Sequence, residues 1–342
     1  MRINRLTTSA TRYFYYFYTM IGTKINAFFN PEQFQGWGRR RKYFEGWYFK
    51  IVNAEQTKAF AFIPGIAIDD NGRKKPFIQV LDGKKQTSVN HTFTEKEFIP
   101  TPGIFNLNIG PNFFSEHRMS LQLPDIKGEL RFLDAVRWPK HWYSPGIMGP
   151  YSFVPFMECY HGIVSMDHSI VGQLEINGEQ INFDQGRGYI EKDWGHSFPS
   201  AYTWMQTNHF SVPGISVKAS VAKIPWITKS FVGFIAGLWI HDTLYKFTTY
   251  NGSKLRKSFI DENRVEIVLE NRNFKIELLA HRDRVTELAS PIQGLMDGRI
   301  EESMTSTIEV NLFDKKQKRL LFADTGRNAG LEVAGKIDEI ML

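Results

Sequence analysis

Apolar and polar residues alternate with a period of two along most of the chain, and the 3.6-residue spacing of amphipathic helices is hard to find. Short runs rich in β-branched and aromatic residues are separated by turn signals such as Asp82-Gly83 and Asn251-Gly252. The clearest hairpin signature is Asn177-Gly178, which lies between the alternating runs 172–176 and 179–183. This pattern predicts an all-β, mostly antiparallel protein with few short helices.

Large rings and acids are concentrated in residues 188–210, which have the sequence GYIEKDWGHSFPSAYTWMQTNHF. In an extended strand Tyr189, Glu191 and Asp193 share one face, and Lys192 lies on the other. An acid in an apolar aromatic setting is poorly solvated, which favours its protonated form. We therefore treat Glu191 and Asp193 as candidate catalytic proton donors. On the residues alone, a salt bridge such as Glu191 to Lys192 is an equal alternative.

A second segment, YFEGWYFK at 43–50, also places an acid inside an aromatic run. Strand alternation puts Glu45 on the same face as Trp47 and Phe49. A carboxylate on an apolar face must be paired, neutral or functional, because burying a bare charge is costly. Glu45 is thus either bridged to an inward-facing Lys or Arg, or a helper of a proton donor.

Residues 156–168 combine Cys159, His161 and Asp167 in one predicted strand region. Histidine changes its charge near neutral pH, so His161 is a candidate acid/base residue, with a hydrogen-bonded core histidine as the alternative. The paired ligand spacings of structural zinc sites do not occur in the sequence. We therefore expect neither a metal nor another cofactor.

Similar aromatic and acidic segments at Glu45 and Glu191 begin two comparable halves of the chain. We predict an extension over 1–36, a first β domain over 37–190 and a second over 191–342, each a barrel or sandwich. A loop rich in proline and aromatic residues, 138–155, is predicted to be a lid or a crossing segment.

The amino-acid composition indicates which classes of binding partner the protein has. The aromatic share of 14% favours apolar ligands, and the net charge of +6 is too diffuse to indicate nucleic acid. The single cysteine excludes an intrachain disulfide and predicts a cytoplasmic location. No run reaches the roughly 18 apolar residues of a membrane span. The tyrosine run at 13–18 and the basic run at 39–42 are candidates for peripheral membrane contact.

The two aromatic segments resemble signatures of the tocopherol cyclase family. YFEGWYFK at 43–50 is close to its FEGWYF signature, and 188–210 is similar to its EK-x-WG-x-x-FP-x-x-W-x-W-x-Q-x-N-x-F block. The resemblance covers most of residues 40–335. It implies two lipocalin-like β-barrel halves, as in carotenoid hydratase-like proteins. It also implies protonation of a prenylated quinol and closure of the phenol oxygen on the resulting cation to give a chromanol.

Carried over by motif, the resemblance implies that Glu191 is the acid, because plant members have Asn at the position of Asp193. Glu45 or His161 would assist it. The side chains then expected to bind substrate are Trp47, Tyr48, Trp194, Trp204, Gln206 and Asn208.

These observations lead to three alternative hypotheses about function. The leading hypothesis is a cyclase or hydratase-like enzyme, an isomerase acting on a prenylquinol or another isoprenoid. The alternatives are a non-catalytic carrier of hydrophobic isoprenoids, and a structural β protein at a membrane surface.

Overall fold

A computed structural model describes residues 21–342, and two antiparallel sheets contain most of them. Residues 21–29 are helical, and 3₁₀ turns occur at Glu95–Glu97, Gly149–Phe153 and Ile337–Glu339. The predicted all-β class with few short helices is confirmed. The strands are β1 (Tyr43–Val52), β2 (Ala59–Ile68), β3 (Lys74–Asp82), β4 (Thr87–Thr92), β5 (Phe98–Pro100), β6 (Asn106–Ile109), β7 (Asn112–Ser115), β8 (Arg118–Leu123), β9 (Ile126–Val136), β10 (Cys159–Ile176), β11 (Glu179–Asn182), β12 (Arg187–Gly195), β13 (Ala201–Thr207), β14 (Ile215–Trp226), β15 (Lys229–Ile240), β16 (Thr243–Thr248), β17 (Lys254–Ile260), β18 (Arg264–Glu270), β19 (Phe274–His281), β20 (Thr286–Ile292), β21 (Leu295–Asp314) and β22 (Arg319–Gly335).

The first sheet has 12 strands in the order β4-β3-β2-β1-β12-β10-β9-β8-β7-β6-β5, with β11 paired to β10. The second has 10 strands in the order β16-β15-β14-β13-β22-β21-β19-β18-β17, with β20 paired to β21. In each sheet one pairing joins strands that are distant in sequence, β1 with β12 in the first and β13 with β22 in the second. The sheets correspond to the two lipocalin-like halves.

Each sheet encloses its own apolar core. The first core is formed by one face of each strand, with large side chains that include Trp47, Phe49, Phe62, Phe114 and Leu130. The second contains Met205, Val217, Phe247, Ile267 and Val310 among others. The period-two pattern of the sequence therefore reflects burial of alternate residues within each half.

A third apolar cluster joins the two halves. It is made of side chains from the strand faces that point away from the two cores, among them Tyr48, Tyr189, Tyr202, Trp204 and Met304. On β1, for example, Trp47 faces the first core, whereas the adjacent Tyr48 faces the second half. The outer faces of the two sheets thus pack against each other and form a third buried apolar region.

Several predicted elements match the structure. The hairpin at Asn177-Gly178 is confirmed: Ile176 pairs with Glu179, and both turn residues have the positive φ that this turn requires, 53° and 79°. Residues 138–155 lack long strands and connect β9 to β10 within the first sheet. They pack on the second half, where the Tyr250 hydroxyl donates to the carbonyl oxygen of Ile147, and Met148 and Tyr151 lie at the cavity described below. The sheets change over between Gly195 and Ala201, so a boundary at 190 falls within β12. The domain limits stay a prediction.

The geometry at position 195 explains why glycine follows Trp194. Its φ is +156°, and a Cβ atom at this position would lie 2.0 Å from the carbonyl oxygen of Glu158. Only glycine allows the backbone to approach so closely where β12 ends.

The proposed membrane contacts can be described only in part. The tyrosine run 13–18 lies outside the described residues, and the basic run 39–42 is exposed. Within residues 21–342, no helix has both the length and the apolar character needed to cross a bilayer.

Candidate active site

A large cavity lies between the outer faces of the two sheets. Its volume is about 1370 Å³, including a part that is open to solvent. It can therefore accommodate an extended apolar ligand. Most of the wall is aromatic and aliphatic, including Phe44, Ile63, Phe77, Met148, Tyr151, Met157, Phe198, Phe231, Phe234, Leu288 and Ile300. Such a wall favours a hydrophobic ligand through burial of apolar surface.

A few polar groups interrupt this wall. Strand β12 contributes Glu191 and Asp193, which point away from the first core as the alternation predicts. Strand β10 contributes His161, β14 contributes Lys218, and β22 contributes Glu332. Few polar side chains in an apolar cavity fix the orientation of a ligand and mark the place where chemistry is possible.

His161 lies between two carboxyl groups. Its Nδ1 is 2.8 Å from Oδ1 of Asp193, and its Nε2 is 3.5 Å from Oε2 of Glu191. Nε2 is buried and has no hydrogen-bond partner among the described residues. With the proton on Nδ1, Asp193 accepts a hydrogen bond from this N–H group and orients the ring, which leaves Nε2 to exchange a proton with Glu191 or with a ligand.

Glu191 is almost fully buried, and burial raises its pKa because the charged form is desolvated, an effect partly offset by His161. The Tyr189 hydroxyl and the Trp204 Nε1, at 3.0 Å, both donate to Oε2. Oε1 has no hydrogen bond within residues 21–342 and is available to carry a proton toward the cavity. This arrangement is suited to general acid catalysis.

Two further acids lie beside the cavity and were not found from the sequence. Glu302 on β21 and Glu332 on β22 are paired residues across the strands. Burial and then the neighbouring Glu302 raise the pKa of Glu332 well above its usual value, and the Tyr202 hydroxyl donates to its Oε2 at 2.8 Å. The Tyr48 hydroxyl donates to Oε1 of Glu302.

Glu302 should make stability depend on pH. Burial raises its pKa from 4.5 to about 7, despite the lowering effects of Tyr48 and Lys50, while Glu191 adds to the rise. Because the folded-state pKa is the higher one, the protonated carboxyl stabilises the fold below pH 4.5, and this contribution is lost as the pH approaches 7. We expect the unfolding free energy of the wild type, relative to Glu302→Gln, to fall by about 3 kcal/mol over this range. Urea unfolding at several pH values measures it, and parallel curves for the two proteins would contradict it.

Glu45 lies on the opposite face of the first sheet from Glu191 and does not line the cavity. Its Oε1 is 2.6 Å from Nζ of Lys192, and neither side chain is exposed. It also accepts hydrogen bonds from the backbone N–H groups of Gln35 and Gly36 and from the Tyr43 hydroxyl, at 2.8, 2.9 and 2.5 Å. The carboxylate thus ties residues 35–36 to strand β1.

The three tryptophans expected in the cavity wall occupy different places. Trp204 lines the cavity. Trp47 belongs to the first core, where its ring stacks on Phe105 with centroids 5.3 Å apart. Trp194 stacks on Tyr160 at 5.5 Å and lines a separate pocket. Of these rings, only that of Trp204 is placed to contact a ligand in the main cavity.

Of the other residues expected to bind substrate, Tyr48 lines the cavity. Gln206 is buried, and its Oε1 accepts a hydrogen bond from Lys50 at 3.0 Å. Asn208 donates to Oδ1 of Asp167 and to the carbonyl oxygen of Gly188, at 2.9 and 2.8 Å. Gln206 on β13 and Asn208 just after it thus bind groups of the first sheet, and neither lines the ligand cavity.

The ligand atoms of His161, Glu191 and Asp193 lie within 4.8 Å of one another and can in principle hold a metal ion. Two features fit a metal poorly. Nδ1 of His161 is already engaged by Asp193, and the Lys218 side chain lines the same cavity. That the site uses no metal stays a prediction.

Fold and site together define a class: an all-β protein of two lipocalin-like halves, with acids and a histidine in an apolar cavity between them. The model of the tocopherol cyclase-like family matches residues 125–335, more than half of the sequence. The chain belongs to the tocopherol cyclase-like family.

Two curated relatives agree with this assignment, and a solved structure shares the fold. The chain is 22% identical over 364 residues to the probable chloroplastic tocopherol cyclase of Oryza sativa subsp. japonica, covering 87% of this chain and 76% of that protein. It is 22% identical over 278 residues to the chloroplastic tocopherol cyclase of Zea mays, covering 63% and 57%. The crystal structure of CghA with Sch210972 has a TM-score of 0.54 at 9% identity, covering 86% of this chain and 88% of that one. This last likeness concerns the fold alone.

Proposed function

We propose that the protein is an acid-catalysed cyclase that closes a prenylated quinol, or a related isoprenoid, in the cavity between its halves. The observation that carries the proposal is Glu191, a buried carboxyl in an apolar cavity with a histidine 3.5 Å away. An apolar wall suits the isoprenoid chain, and a neutral acid suits the protonation of an alkene.

The reaction is an isomerisation without net oxidation. Glu191 donates its proton to the side-chain double bond nearest the ring, and a C–H bond forms while the adjacent carbon becomes a tertiary cation. The phenol oxygen then bonds to that carbon and loses its proton to Nε2 of His161, which returns it to Glu191. Trp204 and the neighbouring rings stabilise the cation through their π faces. Asp193 orients His161 throughout.

The alternative is a carrier that binds isoprenoids without converting them. The size and the apolar wall of the cavity suit both functions equally. The two differ in one event, the transfer of a proton to carbon.

Turnover in D₂O separates these functions. We expect a prenylated benzoquinol incubated with the protein to give a chromanol that carries one carbon-bound deuterium, because the proton on Glu191 exchanges with solvent before transfer. Mass spectrometry after back-exchange in H₂O measures the label, and heat-denatured protein gives the uncatalysed background. Recovery of unlabelled, unconverted quinol, together with binding seen as quenching of tryptophan fluorescence, would favour the carrier.

A further inference from the structure

Three lysines have fully buried side chains, Lys50, Lys192 and Lys218. A lysine ammonium has three N–H donors, and a buried donor without a partner is costly. Lys50 and Lys192 each have three acceptors. These acceptors are the backbone and side-chain oxygens of Gln206 and the carbonyl oxygen of Asn328 for Lys50, and the carbonyl oxygens of Pro31 and Gln33 and the carboxylate of Glu45 for Lys192.

Lys218 differs from both. Within residues 21–342, its Nζ has a single acceptor, the Ser220 hydroxyl at 2.9 Å, and no carboxylate oxygen within 4 Å. Its side chain lines the main cavity, as does that of Ser220, whereas Val217 on the same strand faces the second core. Two donors of a buried cation therefore remain for whatever occupies the cavity.

We propose that Lys218 is the anchor for an oxygen of the bound ligand, a phenol or carbonyl oxygen on its polar head. The inference rests on the proposed function, because it places the ring of the quinol at β14 and leaves the side-chain double bond to Glu191 on β12. Burial lowers the pKa of Lys218, and the nearby acids Glu191 and Asp193 partly oppose this lowering by favouring the charged ammonium. A charged donor in an apolar wall selects ligands that carry an acceptor oxygen over ligands that lack one.

The test compares two probes that cannot react, a hydroquinone with a saturated branched C10 chain and the benzene with the same chain and no oxygen. We expect Lys218→Met to weaken binding of the hydroquinone by about 10- to 100-fold and to leave binding of the benzene within about twofold. Quenching of tryptophan fluorescence measures both dissociation constants. Lys50→Met is the matched control, because Lys50 is a buried lysine with satisfied donors, and this variant should keep the wild-type preference for the hydroquinone.

An equal loss for both probes in Lys218→Met would overturn the proposal, since Lys218 would then only shape the cavity. An unchanged preference would overturn it as well. If Lys218→Met does not fold, the wild type still tests the idea, because equal affinity for the two probes contradicts an oxygen anchor. Since neither probe reacts, a failure of the cyclase proposal in D₂O would leave this result independent.

Discussion

Replacing Glu191 by Gln is expected to lower kcat by about 10²- to 10⁴-fold, the usual contribution of general acid catalysis. Gln has nearly the same shape and keeps an oxygen that can accept the hydrogen bonds from Tyr189 and Trp204. It has no acidic proton to deliver to an alkene. Binding of a prenylquinol should therefore change by less than about threefold, because hydrogen bonding and packing are retained. Single-turnover formation of chromanol and fluorescence titration measure the two quantities.

Glu332→Gln is the matched control for this experiment. Glu332 is also a cavity acid with a tyrosine donor, but it has no histidine within ion-pair distance among residues 21–342. We expect it to retain most of the turnover. If Glu191→Gln kept full turnover while Glu332→Gln lost it, Glu332 would be the acid.

The largest expected loss of stability follows from Glu45→Leu, about 3–5 kcal/mol in the free energy of unfolding. The change leaves the buried Lys192 ammonium without its counter-charge and removes the acceptor for two backbone N–H groups. Each of these groups is costly to bury without a partner. Urea unfolding monitored by tryptophan fluorescence measures the effect.

Lys192→Met provides a comparison, because it leaves Glu45 with its other three hydrogen bonds. We expect it to be less destabilising than Glu45→Leu, since a carboxylate with three donors is better compensated than an isolated ammonium. A Glu45 variant with full stability and no turnover would instead assign this residue a catalytic role. The measurement thus decides between the two interpretations that the sequence left open.

The period-two pattern of the sequence was sufficient to predict several features of the fold. Alternation predicted the β class, the hairpin at Asn177-Gly178 and the shared face of Glu191 and Asp193. These features are local, because they depend on residues close in sequence and on the fixed geometry of an extended strand. The aromatic setting of the acids was equally visible in the residues themselves.

The composition of the full site was not predictable in this way. In β14, β21 and β22, polar side chains alternate with apolar ones, and such a polar face ordinarily meets solvent. Lys218, Glu302 and Glu332 are buried only because a second sheet covers that face. The hydrogen bond from Tyr48 to Glu302 joins residues 254 positions apart, which no local pattern can reveal. A charged residue flanked by apolar ones, as Lys218 in ISVKASV at 215–221 or Glu332 in GLEVAG at 330–335, is a local signal that could have found two of them.

The separate cores of the two halves have a consequence for how such proteins diversify. A substitution in the wall between the sheets changes neither of the two sets of side chains that hold each barrel together. New ligand shapes and new acid–base groups can therefore arise there while any loss of stability is confined to the contacts between the halves. The residues that line the cavity between the sheets can therefore change in evolution while the two barrel cores are retained.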